Sequence, residues 1–168
     1  MTIRINEKGR YEIVKYDTVI AIDPDSKKSG IGIVKGHETD ALSLTLPEIV
    51  NRCVSESNAA TTKIIIEAGW LNKSFWHENA RKSTAIAVKV GIGLGENRQA
   101  GFDIEAMLKS HGLEYEEVRP LRKCWKGTDG KITHDELNKQ LRLRKLKEVG
   151  RCNQDARDAL WLAVNYRF

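Results

Sequence analysis

Two short apolar runs in this chain end in an acid. Val19-Ile20-Ala21-Ile22 leads into Asp23 and Pro24, and Ile64-Ile65-Ile66 leads into Glu67. Such near-continuous β-branched runs read as strands near a sheet centre, covered on both faces. A carboxylate at the end of a buried strand is costly unless a cation or hydrogen bonds compensate it. Asp155 and Asp158 stand three apart in a stretch that reads as helix, which places them on one helix face. Asp155 also lies near the helix start, where an acid is favoured by the helix dipole alone. Two strand-end acids and a helical pair suggest a shared load, for which hard, oxygen-seeking divalent cations, Mg²⁺ or Mn²⁺, are the natural candidates.

The rest of the chain supplies the sheet and its cover. Asp17 to Pro24 reads as a buried strand, Asp25 to Gly30 as a polar turn, and Ile31 to Lys35 as the returning strand of a hairpin. A third strand is expected over Asp40 to Leu46, and Pro47 suits the first turn of a helix reaching about Asn58. Thr61 to Glu67 is the fourth strand. Ala68 to Glu78 is an aromatic-rich loop, and Asn79 to Ser110 is helical, with Gly91, Gly93, Gly95 and Gly101 marking a break or close helix-to-sheet contact. Glu114 to Val118 is the fifth strand. Thr133 or His134 starts a basic helix, and Asn153 caps a last helix reaching about Tyr166. This order predicts a mixed α/β sheet, an antiparallel meander followed by parallel crossovers. Residues 1–168 are read as one domain, with residues 1–16 as an N-terminal extension containing a small hairpin around Lys8-Gly9.

Composition removes several function classes. No apolar run approaches a membrane span, and the first residues lack the apolar core of a signal peptide, so the expected location is cytoplasmic. Cys53, Cys124 and Cys152 are odd in number and widely spaced, and the four histidines are scattered, which speaks against a zinc centre. The glycines of 91–101 do not form a dinucleotide-binding fingerprint after a strand. The net charge is +5, and it is unevenly spread: from Arg119 to Arg151 eleven Lys and Arg face four Asp and Glu, a local balance of +7 against −2 for the remainder. Basic ground beside a set of acids is what a nucleic-acid enzyme needs, although a stretch such as Arg142 to Lys147 is equally well read as a solvated helix face.

The motifs together resemble one family. AIDPDSKKSGIGIV resembles the first hairpin of RuvC-like Holliday-junction resolvases, nucleases of the RNase H-like superfamily, in which an Asp-Pro-Gly-x-x-x-x-Gly pattern supplies the first catalytic acid. IIIEAGW resembles the fourth strand with its Glu. QDARDALWLA resembles the C-terminal helix with two acids three apart, and LGENRQAGFDIEAMLKSHGLEYEEVRPLRKCWKG resembles the segment between them. The similarity spans roughly Thr18 to Asn165. One departure is Asp25, a fifth carboxylate where the family has Gly.

The resemblance implies an RNase H-like five-stranded sheet flanked by helices, and a metal-dependent endodeoxyribonuclease that cuts branched DNA, most naturally four-way junctions. It assigns catalysis and metal binding to Asp23, Glu67, Asp155 and Asp158, with two Mg²⁺ or Mn²⁺ ions and Asp23 bridging them. It also implies lysines of the basic loop at the phosphate, without choosing between Lys123 and Lys126, with Lys131 nearby. His134 either replaces a basic residue of the family or is simply a helix-start residue. Trp70, Lys73 and Phe75, with Trp76 and His77, are read as DNA contacts or as a dimer interface, two roles that fit equally. Trp125 is expected to pack. The family implies a homodimer, so that two active sites cut opposed strands. The alternatives are another RNase H-like nuclease, acting on flaps, RNA or RNA–DNA hybrids, and an inactive nucleic-acid-binding protein.

Overall fold

The computed structural model describes residues 2–5, 11–14, 16–57, 61–72 and 84–167. Strands β1 (Thr2–Ile5) and β2 (Tyr11–Val14) pair antiparallel, as the hairpin expectation requires. There follow β3 (Thr18–Asp23), β4 (Ser29–Lys35), β5 (Glu38–Leu44), α1 (Leu46–Glu56), β6 (Thr62–Glu67), α2 (Thr84–Ser110), β7 (Glu116–Val118), α3 (His134–Leu143) and α4 (Gln154–Arg167). The main sheet has the order β5-β4-β3-β6-β7. β3, β4 and β5 form an antiparallel meander, and β6 and β7 run parallel to β3. This is the mixed five-stranded sheet, antiparallel meander followed by parallel strands, expected from the sequence.

β3 sits at the centre, and its side chains alternate between two cores. Val19 and Ala21 join Ile65, Leu137, Leu141, Leu160 and Val164 on the side of α3 and α4. Ile20 and Ile22 join Ile49, Cys53, Ile64, Ile66, Ile104 and Leu108 on the side of α1 and α2. Local signals set the helix ends. Thr45 and Glu48 close a capping box at the start of α1, with Pro47 in the first turn, and Thr133 with Glu136 does the same for α3. Asn153 accepts a hydrogen bond at Oδ1 from the Ala156 N–H, 3.0 Å away, and so caps α4.

Two glycines decide how closely α4 approaches the sheet. A methyl group on Gly30 would run into the Asp155 carbonyl, and one on Gly32 would run into the backbone of Ala159 and Leu160. Both lie on β4, two apart and therefore on one face, so α4 rests on bare backbone there.

Helix α2 departs from the expectation. It runs for 27 residues with no break at any of its glycines. Gly91, Gly93 and Gly95 have open space where a Cβ would be, so they mark no sheet contact. Gly101 is the exception, and what lies against it is the ring of Trp70. All three cysteines are free thiols. Among the described residues no helix is long and apolar enough to cross a membrane.

Candidate active site

Strand parity brings the first two acids together. Asp23 shares its face of β3 with Val19 and Ala21, and Glu67 shares its face of β6 with Ile65, so both strand ends aim toward α4. The parallel register sets Ile22 opposite Ile66, so the next residue on each strand is an acid at the same level. Asp23 is paired with Gly30 across the hairpin, and Gly30 lies directly under Asp155. The close seat of α4 thus brings Asp155, and Asp158 one turn further along, over the two strand ends.

The charges of these groups act on one another. Burial, reinforced by the charges of Glu67, Asp155 and Asp158, pushes the Asp23 carboxyl well above the usual carboxylate range, with Lys131 opposing. Burial and the Asp158 charge push Glu67 up to about 7, against Lys123 and Lys131. Asp158 is also raised, by burial first and then by Asp155, while a hydrogen bond from Gln154 and the charges of Lys131 and Lys123 pull the other way. The raised values of all three express the cost of holding several buried negative charges close together.

The donor set fits a hard divalent cation. All four groups are carboxylates, and among the described residues the Asp23 carboxylate has neither a hydrogen bond nor an ion-pair partner. The cluster is open: among the described residues no three His, Cys, Asp or Glu side chains already stand together as a cation site.

Two lysines stand over the acids. Lys131 Nζ is 3.7 Å from Asp158 Oδ2. Lys123 is exposed, and its charge acts on Glu67 and Asp158. Lys126 is directed elsewhere: its backbone N–H donates to the Glu136 carboxylate and its charge lowers Glu136. The charge of Lys123 thus acts on the acids, whereas that of Lys126 acts on Glu136. The loop between them folds tightly on itself. Trp125 N–H donates to the Gly130 carbonyl at 2.9 Å and Gly127 N–H to the Lys131 carbonyl at 3.0 Å, with Asp129 and Gly130 both at positive φ. Trp125 packs edge-on against Trp161 of α4, as expected, at a centroid distance of 5.2 Å.

Other candidates fall in different places. Asp25 Oδ1 accepts from the Lys27 N–H at 3.1 Å, so the fifth carboxylate closes the β3–β4 turn. His134 opens α3, with Nε2 3.1 Å from Asn138 Nδ2. Trp70 is half-buried. It lies on Gly101, tilts against Phe102 at 5.2 Å, and donates from Nε1 to Glu117 Oε2 at 3.3 Å. Part of the ring is therefore engaged inside the molecule. Lys73, Phe75, Trp76 and His77 lie outside the described residues.

Sequence reasoning missed Gly30 and Gly32, whose two-residue spacing on a strand was the available signal for a helix resting on that face. It also missed Gln154 and Arg157, which border Asp158. No family model matches the chain, and no curated protein is significantly similar to it. Among solved structures it is similar to Thermus thermophilus RuvC in complex with a Holliday junction substrate. The TM-score is 0.47 and the identity 16%, over 88% of this chain and 90% of that one. A second Thermus thermophilus RuvC structure is similar with a TM-score of 0.44 and 19% identity, over 88% of this chain and 91% of that one.

Proposed function

We propose that this chain is a divalent-cation-dependent endonuclease of the RuvC-like class that hydrolyses phosphodiesters in branched DNA, with four-way junctions as its substrate. The observation that carries this reading is the convergence of Asp23, Glu67, Asp155 and Asp158 at one end of the sheet, beneath Lys123 and Lys131. The order and element types of these acids, and the motifs around them, are those of the resemblance described above. When bound, Mg²⁺ or Mn²⁺ would activate the attacking water and stabilise the leaving oxygen, the work of two ions in two-metal hydrolysis. The four carboxylates would hold the cations. Lys123 and Lys131 supply positive charge on the side where a phosphate must approach, and so favour the extra negative charge of the transition state. No side-chain nucleophile is needed.

Two opposed cuts require two sites at a fixed distance, which implies a homodimer. The N-terminal half of α2 supports a second copy as partner. Val88 is 56% exposed and Ile92 57%, four apart on one helix face that also carries Gly91 and Gly95, an apolar stripe of the kind that is ordinarily covered. Gly91 and Gly95, four apart, would let two such helices approach closely across a two-fold axis.

The test is cleavage of labelled four-way junction, linear duplex, flap and RNA–DNA hybrid in Mg²⁺, Mn²⁺ or EDTA. The expected result is paired symmetric nicks in the junction, poor cutting of duplex, and none in EDTA. Preferred cutting of flap or hybrid would transfer the reading to another RNase H-like nuclease. Binding without cutting in any metal would leave a nucleic-acid-binding protein.

A further inference from the structure

The two oxygens of Asp158 are held in different ways. Oδ1 accepts a hydrogen bond of 2.7 Å from Gln154 Nε2. Oδ2 faces Lys131 Nζ at the looser distance of 3.7 Å. The Gln154 contact is itself fixed by Arg157. The guanidinium donates from Nη2 to Gln154 Oε1 at 2.7 Å, from Nε to the Ile132 carbonyl at 3.3 Å, and from Nη1 to the Cys152 carbonyl. A guanidinium only donates, so it takes the oxygen of the Gln154 amide and leaves the NH₂ end for Asp158. The same NH₂ reaches the Ile132 carbonyl at 3.2 Å, which satisfies its second hydrogen. Oδ1 is therefore held by a braced donor, whereas Oδ2 is held by a flexible ammonium that can exchange.

An oxygen that already accepts a short hydrogen bond from a braced donor has a lone pair committed and its approach narrowed, so Oδ2 becomes the favoured oxygen for a cation. Mg²⁺ accepts that arrangement, because it requires near-octahedral geometry and rarely chelates a carboxylate through both oxygens. Ca²⁺ takes six to eight ligands, and chelation through both carboxylate oxygens is one of its usual modes. We infer that Gln154, braced by Arg157, is a positioning residue that favours single-oxygen ligation by Asp158 and so biases the site toward small octahedral cations and against Ca²⁺. This rests on the reading above that the acids hold a divalent cation.

The experiment is calorimetric titration of the full chain with Mg²⁺, Mn²⁺ and Ca²⁺, in the absence of DNA. It compares the wild type with Gln154→Met, which keeps the side-chain length and removes the donor, and with Arg157→Lys, which removes the brace. Thermal unfolding in EDTA checks that each variant is folded. In Gln154→Met the affinity for Ca²⁺ relative to Mg²⁺ should rise roughly tenfold, within the range by which partners of metal ligands tune affinity. Arg157→Lys should shift it in the same direction by less. Equal weakening of all three ions, or an unchanged ratio, overturns the inference while leaving the cation site in place. If the wild type binds none of the ions, the cation site fails, and this inference fails with it.

Discussion

Helices α4 and α2 cover opposite faces of one sheet and use glycine in opposite ways. Under α4 the glycines belong to the strand: Gly30 and Gly32 remove two side chains from β4, and the helix settles onto the backbone there. That seat brings Asp155 over Gly30 and so beside Asp23. In α2 the glycines belong to the helix itself, and Gly91, Gly93 and Gly95 touch nothing through their missing Cβ atoms. Each costs roughly 1 kcal/mol in helix propensity relative to alanine, and among the described residues nothing offsets it. The contrast separates precision from association. On the proposed function, the acids need a helix that cannot slide, while a surface for a second copy needs an apolar face left free by its own fold.

The sharpest test of the α4 side is chemical. Asp23→Asn or Glu67→Gln keeps size and removes charge, and should lower junction cleavage on the order of 10³-fold. Binding, supplied by the basic residues, should persist in a gel-shift assay. Cleavage at the wild-type rate by either variant would remove the four-acid site. Substitutions on α2 outside a dimer contact should leave the rate per site unchanged.

The next test sets the two kinds of glycine against each other. Gly32→Ala forces a methyl group into the backbone of α4 and should cost about 3 kcal/mol of stability, the upper range for overpacking. Gly91→Ala with Gly95→Ala should stabilise α2 by up to roughly 1 kcal/mol per site if those positions face solvent. In the proposed dimer the same methyl groups would separate the helices. Sedimentation should then show weaker association together with a more stable monomer. Urea melts that gave the same sign for Gly32 and Gly91 would break the comparison.

Protons offer a third test. In the cation-free protein, burial and neighbouring charge raise Asp23, Asp158 and Glu67, the last to about 7. Each raised group binds more protons folded than unfolded, and for Glu67 that interval lies below about pH 7, so stability falls as pH rises through it. Acidification in EDTA from pH 8 to about 5 should therefore stabilise the protein, by roughly 2 kcal/mol for Glu67 alone. Saturating Mn²⁺ should reverse the trend, because cation and protons compete for the same oxygens. Asp23→Asn should flatten both curves.

The smallest expected effects concern the lysines and the aromatic turn. Lys123→Gln should reduce the salt dependence of junction binding by about one phosphate contact and slow cleavage, whereas Lys126→Gln should change the rate little. Equal effects from the two would mean that the loop acts as undirected charge. Trp70→Ala should lower the melting temperature along with activity, since its ring packs on Gly101 and Phe102.

Much of this organisation was legible in the residues themselves. The apolar runs ending at Asp23 and Glu67 identified the central strands, because only strands covered on both faces are apolar so continuously. Caps at Asn153 and Thr133 and the proline at 47 located helix starts to within a residue or two, since those signals act through bonds within one turn. The acids themselves were recognisable from charge placed where burial is expected. Contacts between distant segments were not legible. The charge of Lys123 acts on the acids and that of Lys126 on Glu136, in a loop that closes through Trp125–Gly130 and Gly127–Lys131 and packs Trp125 on Trp161. Trp70 is spent on packing because α2 passes beneath it at Gly101. Gln154 is polar at a helix start, and only Arg157 and Asp158 on either side give its amide a direction. Periodicity, capping and the cost of a buried charge are local and can be read along a chain. Which oxygen a lysine faces, and how closely a helix rests on a strand, depends on atoms far apart in sequence, and the folded molecule alone decides it.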